Sequence, residues 1–146
     1  GGSNLGPCCE SVVETPGYHV PAGVRVTDVE PGEFDGVILR GGGAPEYLRN
    51  DPKFQTIVRH FVENKKPIAA LCHGVLILAA IDGLRGCTVA TYGALAPDVE
   101  VAGGKLKDIE VVVDGHLVTS RTWMDLPFCM RQVLKILNER KKSVAA

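Results

Sequence analysis

The sequence is short of several things at once. No apolar run approaches the roughly 20 residues that a membrane-spanning helix needs, so no membrane partner is expected. Sixteen basic residues against seventeen acidic ones leave a net charge of −1. That balance gives no electrostatic footprint for nucleic acid or for an anionic lipid surface. The five cysteines are odd in number and contain no CxxC pair, which argues against a disulfide scaffold. No His/Cys spacing suits zinc, and Gly41-Gly42-Gly43 lacks both GxGxxG and a Walker lysine. Neither a metal nor another cofactor is expected. The opening GGSNLGPCC has no basic segment followed by an apolar one, so it does not read as a signal peptide and the cytoplasm is the expected location.

What is present is a chain of 146 residues, 45% hydrophobic and 23% charged, enough for one domain with a buried core. Within it, "AALCHGVLILAA" places a cysteine and a histidine side by side between two apolar runs. Pro67 to Leu71 has the length and apolarity of a strand, whereas Val75 to Ile81 is Leu/Ala-rich and suits a buried helix. Cys72 is therefore expected at a strand-to-helix turn, where the free N–H groups of a helix start favour a thiolate.

Other signals are weaker. Residues 1–16 form an irregular, Gly- and Pro-rich lead-in with the vicinal pair Cys8-Cys9 read as exposed loop cysteines. The domain itself is expected over 17–140, with 141–146 as a tail. Val24 to Thr27 alternates like an exposed strand, and Phe34 to Leu39 reads as a buried one. Asp51-Pro52 is an N-cap with proline at the first helical position, and Phe54, Ile57, Val58, Phe61 and Val62 fall on one helical face. Cys87 to Ala90 suggests a short strand, and Ile109 to Val113 with Leu117 to Ser120 a hairpin about Asp114-Gly115. Asp125 is expected to cap a last helix to about Arg140, with Phe128, Val133, Leu134 and Leu137 inward. Cys87 and Cys129 read as packing residues, and His19, His60 and His116 as surface residues. Strands alternating with helices imply a mostly parallel sheet covered on both faces, with ligands at the carboxyl ends of the strands.

Four blocks in fixed order, "RGGGAPEYLRND", "KPIAALCHGVLILAAIDGLRG", "APDVEVAGG" and "VVVDGHLVTSRTW", resemble the ThiJ/PfpI family of the class I glutamine-amidotransferase-like superfamily. The resemblance implies a flavodoxin-like three-layer α/β sandwich with a nucleophile elbow, assembled as a homo-oligomer. It implies Cys72 as nucleophile and His73 as the base beside it. Glu46 matches an acid that orients the histidine across a subunit interface. Gly42 and Gly43 match a loop whose N–H groups face the thiol as an oxyanion hole, and Tyr92 matches a residue near the thiol. Trp123, after a strand end, is a further candidate for the pocket. The family's leading strand, helix and second strand have no counterpart here, so an N-terminally truncated domain with an open sheet edge is expected.

The implied activities act on a carbonyl. One is a glyoxalase III or deglycase acting on small compounds such as methylglyoxal; another is an intracellular peptidase. A redox-sensing or chaperone-like stress protein without turnover, or an inactive fragment, are the non-catalytic alternatives.

Overall fold

Ile68–Leu71 forms β2, an apolar strand buried along its whole length, and the other elements are arranged around it. The structure, a computed structural model, describes residues 21–144. β2 pairs in parallel with β1 (Val37–Leu39) on one side and with β6 (Leu117–Ser120) on the other; β5 (Val111–Asp114) then closes the sheet as an antiparallel edge beside β6. A separate parallel pair joins β3 (Thr88–Val89) to β4 (Lys105–Leu106).

Strand side chains alternate between faces, and β2 shows how this makes three layers. Ile68 and Ala70 join Leu39 and Leu117 against α2 (Pro52–Glu63) and α3 (Val75–Ala80), in a core with Val58, Phe61, Val75, Ile77 and Leu78. Ala69 and Leu71 face the other way and pack with Val118, Cys129 and Val133 under α5 (Leu126–Val144). Each fully buried Leu, Ile or Phe contributes roughly 1.5–3 kcal/mol. Two short helices complete the fold, α1 (Ala44–Leu48) and α4 (Ala96–Val101). α2 begins as its sequence implies: the Asp51 carboxylate accepts the Phe54 N–H at 2.9 Å, Pro52 takes the first helical position, and Ile57, Val58 and Phe61 are buried.

Several expectations need correction. Val24 to Thr27 is not a strand; Val26–Asp28 closes a 3-10 turn, with the Asp28 N–H on the Arg25 carbonyl at 2.9 Å, because no strand lies alongside to pair with it among the described residues. Only Val37–Leu39 of the Phe34 to Leu39 run is strand, and Phe34 and Ile38 are exposed. Among the described residues β1 lies at the sheet edge, so its outward face is left open. The last helix also has a different frame. Thr122 precedes a 3-10 turn, Trp123–Asp125, and the Asp125 carboxylate reaches back to the Thr122 N–H at 3.3 Å, so Asp125 completes the cap rather than being it. Helix α5 then runs past Arg140 to Val144. Its inward positions are Cys129, Val133, Ile136 and Leu137, whereas Phe128 and Leu134 are exposed. His60 and His116 are half-buried rather than superficial, and the Nε2 of His60 is shut away from solvent. The lead-in, Cys8, Cys9 and His19 lie outside the described residues. Among the described residues, no helix is long and apolar enough to cross a membrane.

Candidate active site

At the carboxyl end of β2 the chain turns abruptly. Cys72 has φ +52°, a left-handed conformation that costs a non-glycine residue roughly 1–2 kcal/mol. It opens a 3-10 turn, Cys72–Gly74, that leads directly into α3. Such strain persists only where neighbours enforce it, and three contacts do so here. The Thr91 hydroxyl donates to the Cys72 carbonyl at 2.7 Å. A Cβ on Gly41 would lie 2.8 Å from Cys72 Cβ, so only glycine lets the β1 loop approach this closely. At Gly74 a Cβ would press into the carbonyl oxygen of Leu39. The elbow is thus wedged between the end of β1 and the Thr91 side chain.

The sharp turn decides which way His73 points. Successive residues of a straight strand would place Cys72 and His73 on opposite faces. Past the bend, Cys72 Sγ lies 3.2 Å from His73 Nδ1. The other imidazole nitrogen, Nε2, lies 3.7 Å from Oε1 of Glu46 in the first turn of α1. A proton on Nε2, facing the carboxylate, leaves Nδ1 free to accept from the thiol. Tyr92 stacks on the imidazole at 5.5 Å between centroids, tilted by 25°. The ring is therefore held from the thiol side, the acid side and one face. Within this one chain the Glu46 carboxylate already lies on the Nε2 side of the ring; the expected contact across a subunit interface lies outside a single chain. Glu46 is half exposed, so this polar contact is of the kind worth up to about 1 kcal/mol.

Beside the thiol, on the α5 side of the sheet, lies a cavity of about 380 Å³ lined by Ile38, Arg40, Gly41, Gly42, Leu71, Cys72, Trp123 and Leu126. Trp123, a candidate from the sequence, is at its mouth and exposed. Gly42, with φ +83°, also lines it. Gly43 does not; it precedes α1 as that helix's cap. Gly41 lies against Cys72. Thr91 gave no sequence signal, since its partner is 19 residues away. Arg121 was also missed. Its guanidinium bridges Asp125 at 3.2 Å and Asp108 at 3.0 Å, and these hydrogen bonds hold it firmly protonated. The bridge fixes the turn that carries Trp123.

Cys87 and Cys129 differ from this arrangement. Burial pushes both thiols up in pKa, reinforced at Cys87 by the Asp114 charge and partly offset at Cys129 by the neighbouring Ser120 hydroxyl. Both stay protonated near neutrality and act in packing. Among the described residues, no three His, Cys, Asp or Glu side chains gather as a metal site.

Comparison with known proteins places these features in context. The DJ-1/PfpI family model matches residues 5–136. Over 113 residues the chain is 44% identical to protein/nucleic acid deglycase 2 of Escherichia coli, covering 77% of this chain and 66% of that protein. It is 39% identical over 121 residues to a Bacillus subtilis protein whose name proposes a cysteine protease, covering 83% of this chain and 72% of that one. A crystal structure of a two-domain Anabaena variabilis protein, containing DJ-1/ThiJ/PfpI-like and ferritin-like domains, superposes with a TM-score of 0.75 at 36% identity. That superposition covers 77% of this chain and 32% of the other. The chain thus spans about two thirds to three quarters of the two sequence relatives.

Proposed function

The chain belongs to the DJ-1/PfpI family, and from that premise we propose that it is a cysteine-dependent enzyme acting on small carbonyl compounds, of the glyoxalase III or deglycase kind. The observation that carries this reading is the line from Cys72 Sγ to His73 Nδ1 at 3.2 Å and from His73 Nε2 to Glu46 at 3.7 Å, set on a strained elbow. A cavity of about 380 Å³ beside the thiol suits a small molecule.

The chemistry follows from these parts. His73 takes the thiol proton, and the thiolate adds to the aldehyde carbon of a substrate such as methylglyoxal. The C=O electron pair moves to oxygen, where backbone N–H groups of the Gly41–Gly42 loop stabilise the charge and His73 returns the proton. The hemithioacetal isomerises by proton transfer between its two oxygenated carbons to a thioester. Water then releases a 2-hydroxy acid and frees the thiol. Overall, one water is added and no external oxidant is consumed. Glu46 keeps the imidazole in the tautomer these steps need.

The name of the Escherichia coli relative includes nucleic acid. A charge balance near neutrality disfavours binding through a basic patch, but an enzyme that takes a single modified group into a pocket needs no such patch. Nucleic acid therefore returns as a possible substrate class, contrary to the expectation from charge alone. A second reading, peptide hydrolysis through an acyl-enzyme, is favoured by the name of the Bacillus subtilis relative.

Steady-state assays with methylglyoxal and with a fluorescent peptide separate the readings. Turnover of methylglyoxal is expected to vanish in Cys72→Ala and to fall about fivefold in Glu46→Gln, the worth of one half-exposed pair. Peptide cleavage without methylglyoxal turnover would replace this reading with the peptidase. If neither substrate turns over while Cys72 oxidises readily under peroxide, a redox sensor is the better description.

A further inference from the structure

Arg40 is the first residue after β1 and lines the same cavity as Cys72. Among the described residues its guanidinium has no ion-pair or hydrogen-bond partner, whereas Arg49, Arg85 and Arg121 are each tied to an aspartate. Among the described residues, no carboxylate lines the cavity to neutralise it. Glu46 is directed at His73, and Asp125 is engaged by Arg121 and the Thr122 N–H. Apart from the thiol, Arg40 is the one ionisable group among the described residues of a wall otherwise made of Ile38, Leu71, Trp123, Leu126 and two glycines.

We infer that, among the carbonyl compounds this site takes, the cavity prefers those that carry a carboxylate over neutral ones such as methylglyoxal, with Arg40 holding the anion while Ile38, Trp123 and Leu126 cover the apolar part. The inference rests on the reading of Cys72 as the nucleophile and narrows its substrate class. A thiolate repels an approaching anion, and a cation on the cavity wall offsets that repulsion. The planar guanidinium can grip both carboxylate oxygens at once. The covalent step is unchanged: an S–C bond forms, the carbonyl electron pair moves to oxygen, and the His73 proton follows. Arg40 orients the substrate and takes no part in bond making.

The test uses two alkylating agents of nearly equal size, anionic iodoacetate and neutral iodoacetamide, with modification read at the peptide carrying Cys72. The ratio of the two rate constants cancels any change in thiol acidity. That ratio is expected to fall about two- to fivefold in Arg40→Met, to be largely kept in Arg40→Lys, and to approach the Arg40→Met value in 1 M salt. Protection of Cys72 from iodoacetamide by propionate, compared with inorganic phosphate, separates a carboxylate site from a phosphoryl site. An unchanged ratio in Arg40→Met, or stronger protection by phosphate, would overturn the inference while leaving Cys72 as nucleophile. Failure of Cys72 to react with either reagent would overturn the nucleophile reading and this inference with it.

Discussion

Replacing Gly74 by alanine sets two physical effects against each other with opposite signs. Gly74 has φ −56° and ψ −26°, ordinary right-handed helical values, so alanine fits its backbone without torsional strain. On that ground alone Gly74→Ala should stabilise the protein by about 0.4–1 kcal/mol, because alanine restricts the unfolded chain. The tertiary contact says otherwise. The added Cβ would press into the Leu39 carbonyl oxygen, lie 3.0 Å from the Leu39 carbonyl carbon and 3.3 Å from the Arg40 oxygen. All three are backbone atoms at the end of β1, and β1 is held by its pairing to β2. No flexible side chain can swing aside, so the elbow or the strand end must move. Overpacking of this kind costs typically 1–3 kcal/mol and occasionally more. The net expectation is a loss of about 1–2 kcal/mol, read as a lower urea midpoint with an unchanged slope. The same displacement shifts Cys72 relative to Gly41, so alkylation of the thiol should slow in the folded variant. A Gly74→Ala protein as stable as the parent, or more so, would show that the approach of β1 to the elbow is not the constraint claimed for it.

Asp125 is buried and accepts from both Arg121 and the Thr122 N–H. Asp125→Ala is expected to cost about 2 kcal/mol in urea unfolding, and emission from Trp123, the one tryptophan in the sequence, should shift as its turn loosens; unchanged stability and emission would refute the role of the Arg121–Asp125 bridge. The His116 pKa is lowered, first by burial and then by the nearby Lys65 charge, partly opposed by Asp114 and helped again by Arg140. The folded protein therefore binds this proton less readily than the unfolded chain, so stability is full above the ordinary histidine pKa of about 6.5 and declines as pH falls through it. Thermal midpoints between pH 7.5 and 5.5 should drop, and His116→Gln should flatten the drop; an equal slope in the variant would assign the pH dependence to other groups.

Several features were legible in the sequence because their causes are local. The cap at Asp51, the proline after it and the apolar face through Phe61 define α2 within a single window, and the structure has that helix with that cap. The continuous apolar run of β2 marks a strand buried on both faces. The position of Cys72 between a strand pattern and a helix pattern located the elbow. The final helix was legible as a helix but not in its facing. Phe128 and Leu134 are as apolar as residues that do turn inward, and only contact with β2 and β6 selects Cys129 and Val133 instead.

What the sequence determined by itself was therefore the chemistry on offer: a thiol, an imidazole beside it, a glycine loop and an acid in the first turn of a helix. What the tertiary structure decided was which of these meet. Nothing in the chain order says that Glu46 lies 3.7 Å from His73, that Gly41 lies against Cys72, or that Thr91 bonds the Cys72 carbonyl. Those pairings follow from packing β1 and β2 side by side and bending the chain at a positive φ. Periodicity and caps act over a few residues, whereas a site is assembled by contacts between segments that only the folded core brings within a few ångströms of one another.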